Sequence, residues 1–173
     1  MTSESLQFSA AAKQRIATLV GRYPERRAAL IPTLYVAQEE FGWLSRDAMR
    51  LVAAELDLPE SWVFSTATFY TMLRKSPVGA WHLQICTNVS CYLRGSDTLM
   101  QIARETLGIE PGETTADGKF TLQAVECLAA CGNAPALQVN KKDHFDVTPE
   151  ALRELLISLR DEPAAAANGG EDA

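Results

Sequence analysis

Two stretches, QICTNVSCYLRGS (Gln84 to Ser96) and VECLAACGNAP (Val125 to Pro135), hold every cysteine in the chain. Cys86 and Cys91 are spaced C-x4-C, and Cys127 and Cys131 are spaced C-x3-C. Each pair begins where a strand-like run meets a loop. AWHLQIC (80–86) alternates like a β-strand and ends at Cys86, and KFTLQAVEC (119–127) is a second such run ending at Cys127. Two adjacent strands that finish on the same side of one sheet bring four sulfurs to one edge. A four-thiolate site at a sheet edge would be the result.

The surrounding residues supply the rest of that sheet. A loop should carry Cys91, and a helix should begin near Ser96, a residue able to cap it, with Leu99, Ile102, Ala103 and Thr106 on one side and Gly108 at its end. Two short strands, ALQVN (136–140) and HFDV (144–147), come next. Thr148-Pro149-Glu150 then opens a last helix with a threonine cap, a first-turn proline and an acidic residue. Leu152, Leu155, Leu156 and Leu159 give that helix its packing face. The C-terminal half is thus β-α-β-β-β-α, a mixed sheet with flanking helices.

Upstream of KSPVGA (75–80) the pattern is helical. Ser9 caps a segment with Ala12, Ile16, Leu19 and Val20 at helical spacing. A second helix should start near Pro24 and present Leu30, Leu34, Ala37 and Phe41 before stopping at Gly42, with Pro32 kinking its interior. Ser45 caps a third, with Ala48, Leu51, Val52 and Leu56 on one side, and Pro59 opens a fourth, PESWVFSTATFYTML. Trp43 and Trp62 are expected in a core or an interface. The fold class is α+β: a helical bundle over 1–75, a sheet domain over 76–162 and a disordered tail over 163–173.

Composition narrows the function. The 173 residues carry a net charge of −6 with no basic cluster, which argues against nucleic acid as a partner. MTSESLQFSA has neither the basic nor the apolar region of a secretory signal, and no run is long and apolar enough to enter a membrane. The expected compartment is the reducing cytoplasm, where four clustered cysteines point to metal or redox chemistry before a structural disulfide.

Spacing leaves several chemistries open. Zinc takes four thiolates in pairs of this kind. A [2Fe–2S] cluster takes four, two for each iron, although the plant-type ferredoxin spacing is not the one here. Dithiol catalysis suits the β-α-β-β-β-α order, which fits a thioredoxin fold, but those enzymes use C-x-x-C and this chain has none. His82, four residues before Cys86 on the same strand, lies roughly 13 Å from it along the backbone, too far to share an ion, and is expected at the surface or a strand end. Nothing places His144 near the cysteines. There is no G-x-G-x-x-G and no P-loop, so nucleotide and flavin binding are not expected on this chain.

The ordered set LYVAQEEFGWLS (34–45), TATFYTML (66–73), SPVGAWHLQICTNVSC (76–91) and ECLAACGNAP (126–135) resembles the family of the E subunit of NADH-quinone oxidoreductase, respiratory complex I. These are thioredoxin-like [2Fe–2S] proteins, and the likeness runs from about Tyr23 to Leu159. The resemblance implies one [2Fe–2S] cluster held by Cys86, Cys91, Cys127 and Cys131. It also implies a partner, the F-type subunit carrying FMN and the NADH site, docked on the N-terminal helices. The place implied is the peripheral arm of a membrane-bound complex, on its cytoplasmic side. Small subunits of NAD-reducing hydrogenases and NAD-dependent formate dehydrogenases share this module and form the first alternative, and a structural-zinc interaction module is the remote one.

One departure stands out. The family reads C-L-G-x-C in the second pair, whereas Ala129 replaces the glycine here. A left-handed alanine costs about 1–2 kcal/mol, so an ordinary φ or an altered loop is expected. Glu126 and the acidic chain should lower the cluster's potential, while backbone N–H groups of TNVS and LAA aimed at sulfur would raise it.

Overall fold

The computed structural model describes residues 6–163. The tail expected from 163 onward lies, from residue 164, outside the described residues. The chain forms two compact units, one ending at Pro77 and the other starting at Val78.

The first unit holds four helices: α1 Ala10–Val20, α2 Leu30–Phe41, α3 Arg46–Leu56 and α4 Glu60–Phe69. Ser9 and Ser45 cap α1 and α3 as expected, each hydroxyl accepting the N–H three residues on. The second helix starts later than expected. Arg26–Ala29 is a separate 3-10 turn, so Pro32 falls in the first turn of α2, where the N–H that proline lacks would have had no intrahelical partner and the expected cause of a kink is absent. Aliphatic side chains (Ile16, Leu34, Leu44, Val52, Leu56, Val63, Leu73) fill the core. Trp62 stays outside it, 43% exposed, with the Arg27 guanidinium 4.4 Å above its ring. α4 stops at Phe69, short of the expected end, and buried Gln38 holds the chain beyond it. The Gln38 amide donates to the Met72 carbonyl (3.2 Å) and accepts from the Arg74 N–H (2.6 Å).

The second unit is built on a four-stranded sheet ordered β2-β1-β3-β4, with β1 Trp81–Cys86, β2 Phe120–Val125, β3 Leu137–Val139 and β4 Lys142–His144. β1 and β2 are parallel, in register from Trp81 against Phe120 to Cys86 against Val125, and the other pairings are antiparallel. The connection from β1 to β2 carries a short helix, α5 Val89–Leu93, and a long one, α6 Ser96–Leu107; α7 Pro149–Asp161 follows the sheet. Thr148 caps α7 as expected, and its Oγ1 accepts the Ala151 N–H.

Strand alternation sorts the two faces. Trp81, Leu83, Ile85, Phe120 and Leu122 pack with Leu99, Ile102 and Ala103 of α6 and with Leu152, Leu156 and Leu159 of α7. The opposite face carries a polar row. His82 bonds Gln123 at 2.7 Å, Gln84 donates to Gln138 at 2.9 Å, and Gln138 donates to Asp143 at 2.7 Å. His82 is therefore buried (6% exposed) rather than at the surface, because β1 is an inner strand with a neighbour on each side.

Several local expectations shift. Cys91 lies on α5, capped by the Asn88 side chain, where a loop was expected. Gly95 takes the cap of α6 at φ +94°, so Ser96 becomes its first helical residue, its buried hydroxyl without a hydrogen-bond partner among the described residues. The fourth strand starts two residues before HFDV and shares only His144 with it, because Asn140 (φ +55°) turns the chain at once and pairs Val139 with Lys142. β2 ends at Val125, two residues before Cys127.

Gly79 enters β1 against the second strand's approach: an added Cβ would lie 2.9 Å from backbone atoms of Lys119 and Phe120. Gly79→Ala should therefore destabilise the second unit by about 1–3 kcal/mol, read as a lower urea midpoint. An unchanged midpoint would show that this approach is not tight.

Candidate metal centre

The parallel register sets the site. Cys86 ends β1 opposite Val125 at the end of β2, and the Thr87 N–H continues the ladder to the Val125 carbonyl at 2.9 Å. The Cys86 N–H is held by the Ala136 carbonyl at 3.1 Å on the other side. Cys91 returns to the same end on α5. Both thiols are buried, at 3% and 2% exposure, in a small apolar shell with Ala134 and Ala136, against which Val125, Leu128 and Ala130 pack.

The second pair is different. Cys127 and Cys131 sit in the loop after β2 and are exposed, Cys131 opening the 3-10 turn Cys131–Asn133. The N–H of Asp146 on the Asn133 carbonyl (2.8 Å) and that of Val147 on the Pro135 carbonyl (3.1 Å) tie this loop to the chain beyond β4. Cys127 Sγ accepts the Ala129 N–H at 3.2 Å. Ala129 has φ +57°, so the ordinary φ allowed for above does not occur and alanine occupies the left-handed region.

None of the four thiols is in a disulfide. The Cys91 pKa is raised, first by burial and then by the neighbouring Cys86 thiol and the Cys131 charge, with the Ala136 backbone working the other way. Leu128 and Ala130, which lie between Cys127 and Cys131 in the second loop, pack against the shell of Cys86 and Cys91 and bring that loop to the same end of the sheet. Gathering several thiolates here costs energy unless a cation neutralises them, which is the condition that makes metal binding displace protons. Among the described residues, no three Cys, His, Asp or Glu side chains converge as closely as one ion would require. A two-iron cluster spreads its four thiolates over two centres and asks less convergence of any three. The donor set fits that group: four thiols at one end of a sheet, with a backbone N–H directed at one of the sulfurs. Of these features the sequence disclosed the cysteines and the anomaly at residue 129.

A family model described as thioredoxin-like [2Fe-2S] ferredoxin matches residues 16–160. The E 2 subunit of NADH-quinone oxidoreductase from Rhizobium meliloti is 45% identical over 148 residues, covering 86% of this chain and 88% of that one. The E subunit from Rickettsia bellii is 42% identical, with 83% and 88% covered. The E subunit from Mycobacterium bovis is 43% identical, with 87% of this chain but 60% of that one covered. Among solved structures, an NAD+-reducing [NiFe]-hydrogenase in the H2-reduced state gives a TM-score of 0.66 at 20% identity, over 76% of this chain and 23% of that one. The fold is shared there, and this chain spans under a quarter of the hydrogenase chain.

Relief of the left-handed alanine is measurable. Ala129→Gly should raise the metal-free stability of the second unit by about 0.5–1 kcal/mol, the strain removed less the entropy that glycine adds to the unfolded chain. A lower urea midpoint for the variant would show that Ala129 is not strained.

Proposed function

The chain belongs to the thioredoxin-like [2Fe-2S] ferredoxin family, and we propose that Cys86, Cys91, Cys127 and Cys131 hold one [2Fe–2S] cluster in the E subunit of an NADH-quinone oxidoreductase. The observation that carries this is the shell around Cys86 and Cys91, against which Leu128 and Ala130 of the second cysteine loop pack, so that both pairs stand at one end of the sheet. When bound, such a cluster takes up and passes on one electron at a time. The residues decide how. Cys86 and Cys91, in their alanine-lined shell, keep water from one side, while Cys127 and Cys131 present the other side to solvent or to a partner. The Ala129 amide directs its N–H dipole at the Cys127 sulfur.

The partner is a subunit that binds FMN and NADH, since this sequence has no nucleotide fingerprint of its own. The first unit is the docking module. Trp62, Phe64, Phe69 and Met72 are exposed on and after α4, with Arg27 over Trp62 and Arg46 5.9 Å from the Phe64 ring centre, the aromatic and arginine mixture that interfaces favour. No helix of the described residues is long and apolar enough to cross a membrane. The chain's place is the peripheral arm of complex I, on the cytoplasmic side. The hydrogenase likeness supports a second assembly for the same module, and the 45% identity to a complex I subunit favours the first.

Anaerobic purification of the full chain should yield iron and acid-labile sulfide in equal amounts. An S = 1/2 EPR signal should appear only after dithionite, with a midpoint in the negative part of the range of about −700 to +450 mV that such clusters span. Stoichiometric zinc without iron would replace this proposal with the structural-zinc module. Cys131→Ser should reduce the cluster content and change the spectrum while leaving the helical circular dichroism; unchanged content and spectrum would remove Cys131 from the ligand set.

A further inference from the structure

The N–H of Ala129 lies 3.2 Å from Cys127 Sγ, and the residue supplying it stands at φ +57°. The peptide plane that aims this N–H is set by Cys127 and Leu128. From that plane the chain must still turn to bring Cys131 back to the same end of the sheet within two residues. A positive φ at 129 makes the turn without rotating the plane off the sulfur. Alanine tolerates that region at a cost, glycine and asparagine more readily, and β-branched residues least.

Resting on the cluster assignment above, we propose that Ala129 is a positioning residue that sets the cluster's reduction potential, its left-handed backbone holding the N–H on Cys127 Sγ. Reduction adds one electron to an already anionic tetrathiolate cluster, and part of that charge falls on the sulfurs. An N–H aimed at one of them stabilises the reduced form more than the oxidised form and so raises the potential. Cys127 is exposed, so without this bond water would compete for its sulfur. Ala129 is itself exposed, and its methyl can change without opening a cavity. Glu126, the acidic neighbour on the same loop, is the same in every variant and cannot account for differences among them.

The test compares Ala129→Gly and Ala129→Asn, which keep the left-handed conformation accessible, with Ala129→Val, which does not. Each full-length chain, prepared anaerobically, is titrated with dithionite and redox mediators while EPR follows the reduced fraction. Iron and sulfide are counted in parallel. Glycine and asparagine should leave the midpoint where it is. Valine should make the cluster harder to reduce by about three- to tenfold in the equilibrium constant, a tenfold change being about 59 mV for one electron.

A semisynthetic chain with lactic acid in place of Ala129 exchanges the N–H for an ester oxygen. It should show the same negative shift, and it serves where the valine chain fails to load. A purely structural role would lower cluster content without moving the midpoint of the loaded fraction, and an unchanged midpoint in the loaded valine or ester chain overturns the assignment. A wild-type chain lacking iron and sulfide overturns the cluster reading itself, and the role of Ala129 falls with it.

Discussion

Because β1 and β2 run parallel and in register, with Cys86 opposite Val125, both strands finish at one edge and hand their following loops to the same place. A hairpin between the same two strands would have sent the cysteine pairs to opposite ends of the sheet. Parallel pairing demands a long crossover, and α5 and α6 supply it. The crossover is also useful, since its first helix carries Cys91 back towards Cys86 before the chain departs along α6. The apolar face of the sheet, packed on α6 and α7, fixes the strands. The sulfur geometry thus follows from a core that contains no cysteine.

The two thiol pairs differ in what surrounds them. Cys86 is pinned within the ladder through the Ala136 carbonyl, and Cys91 is buried beside it. Cys127 and Cys131 ride on a loop whose backbone is tethered through Asn133 and Pro135. One side of the centre is thereby rigid and dry, the other open. Water near a thiolate stabilises its charge, and so does an amide N–H, so the open side is where small backbone changes alter the electrostatics most.

Much of this was legible in the residues because strong local signals agreed with the tertiary structure. Ser9, Ser45 and Thr148 each cap the helix expected of them, and AWHLQIC alternates as a strand and is one. Misreadings arose where a signal had two local solutions. Pro24 begins no helix because the chain makes a 3-10 turn first, and Ser96 lost the cap to Gly95, whose φ only glycine adopts without cost. His82 was misplaced because strand alternation does not say whether a polar face is covered, which depends on partners far away in sequence, here Gln123. The positive φ of Ala129 had no local signal at all; only the departure from a familiar glycine marked the position.

The polar row on the sheet has a consequence for assembly. His82 meets Gln123, and Gln84 meets Gln138, at positions set by the strand registers. A slip of one residue would drive these amides into the aliphatic layer and expose Leu83 and Ile85, stranding polar groups among hydrocarbon. Mispaired sheets are thus rejected by side chains that never touch sulfur. The row acts as a proofreading device, and the strand ends that carry Cys86 and lead to Cys127 are aligned before any iron arrives.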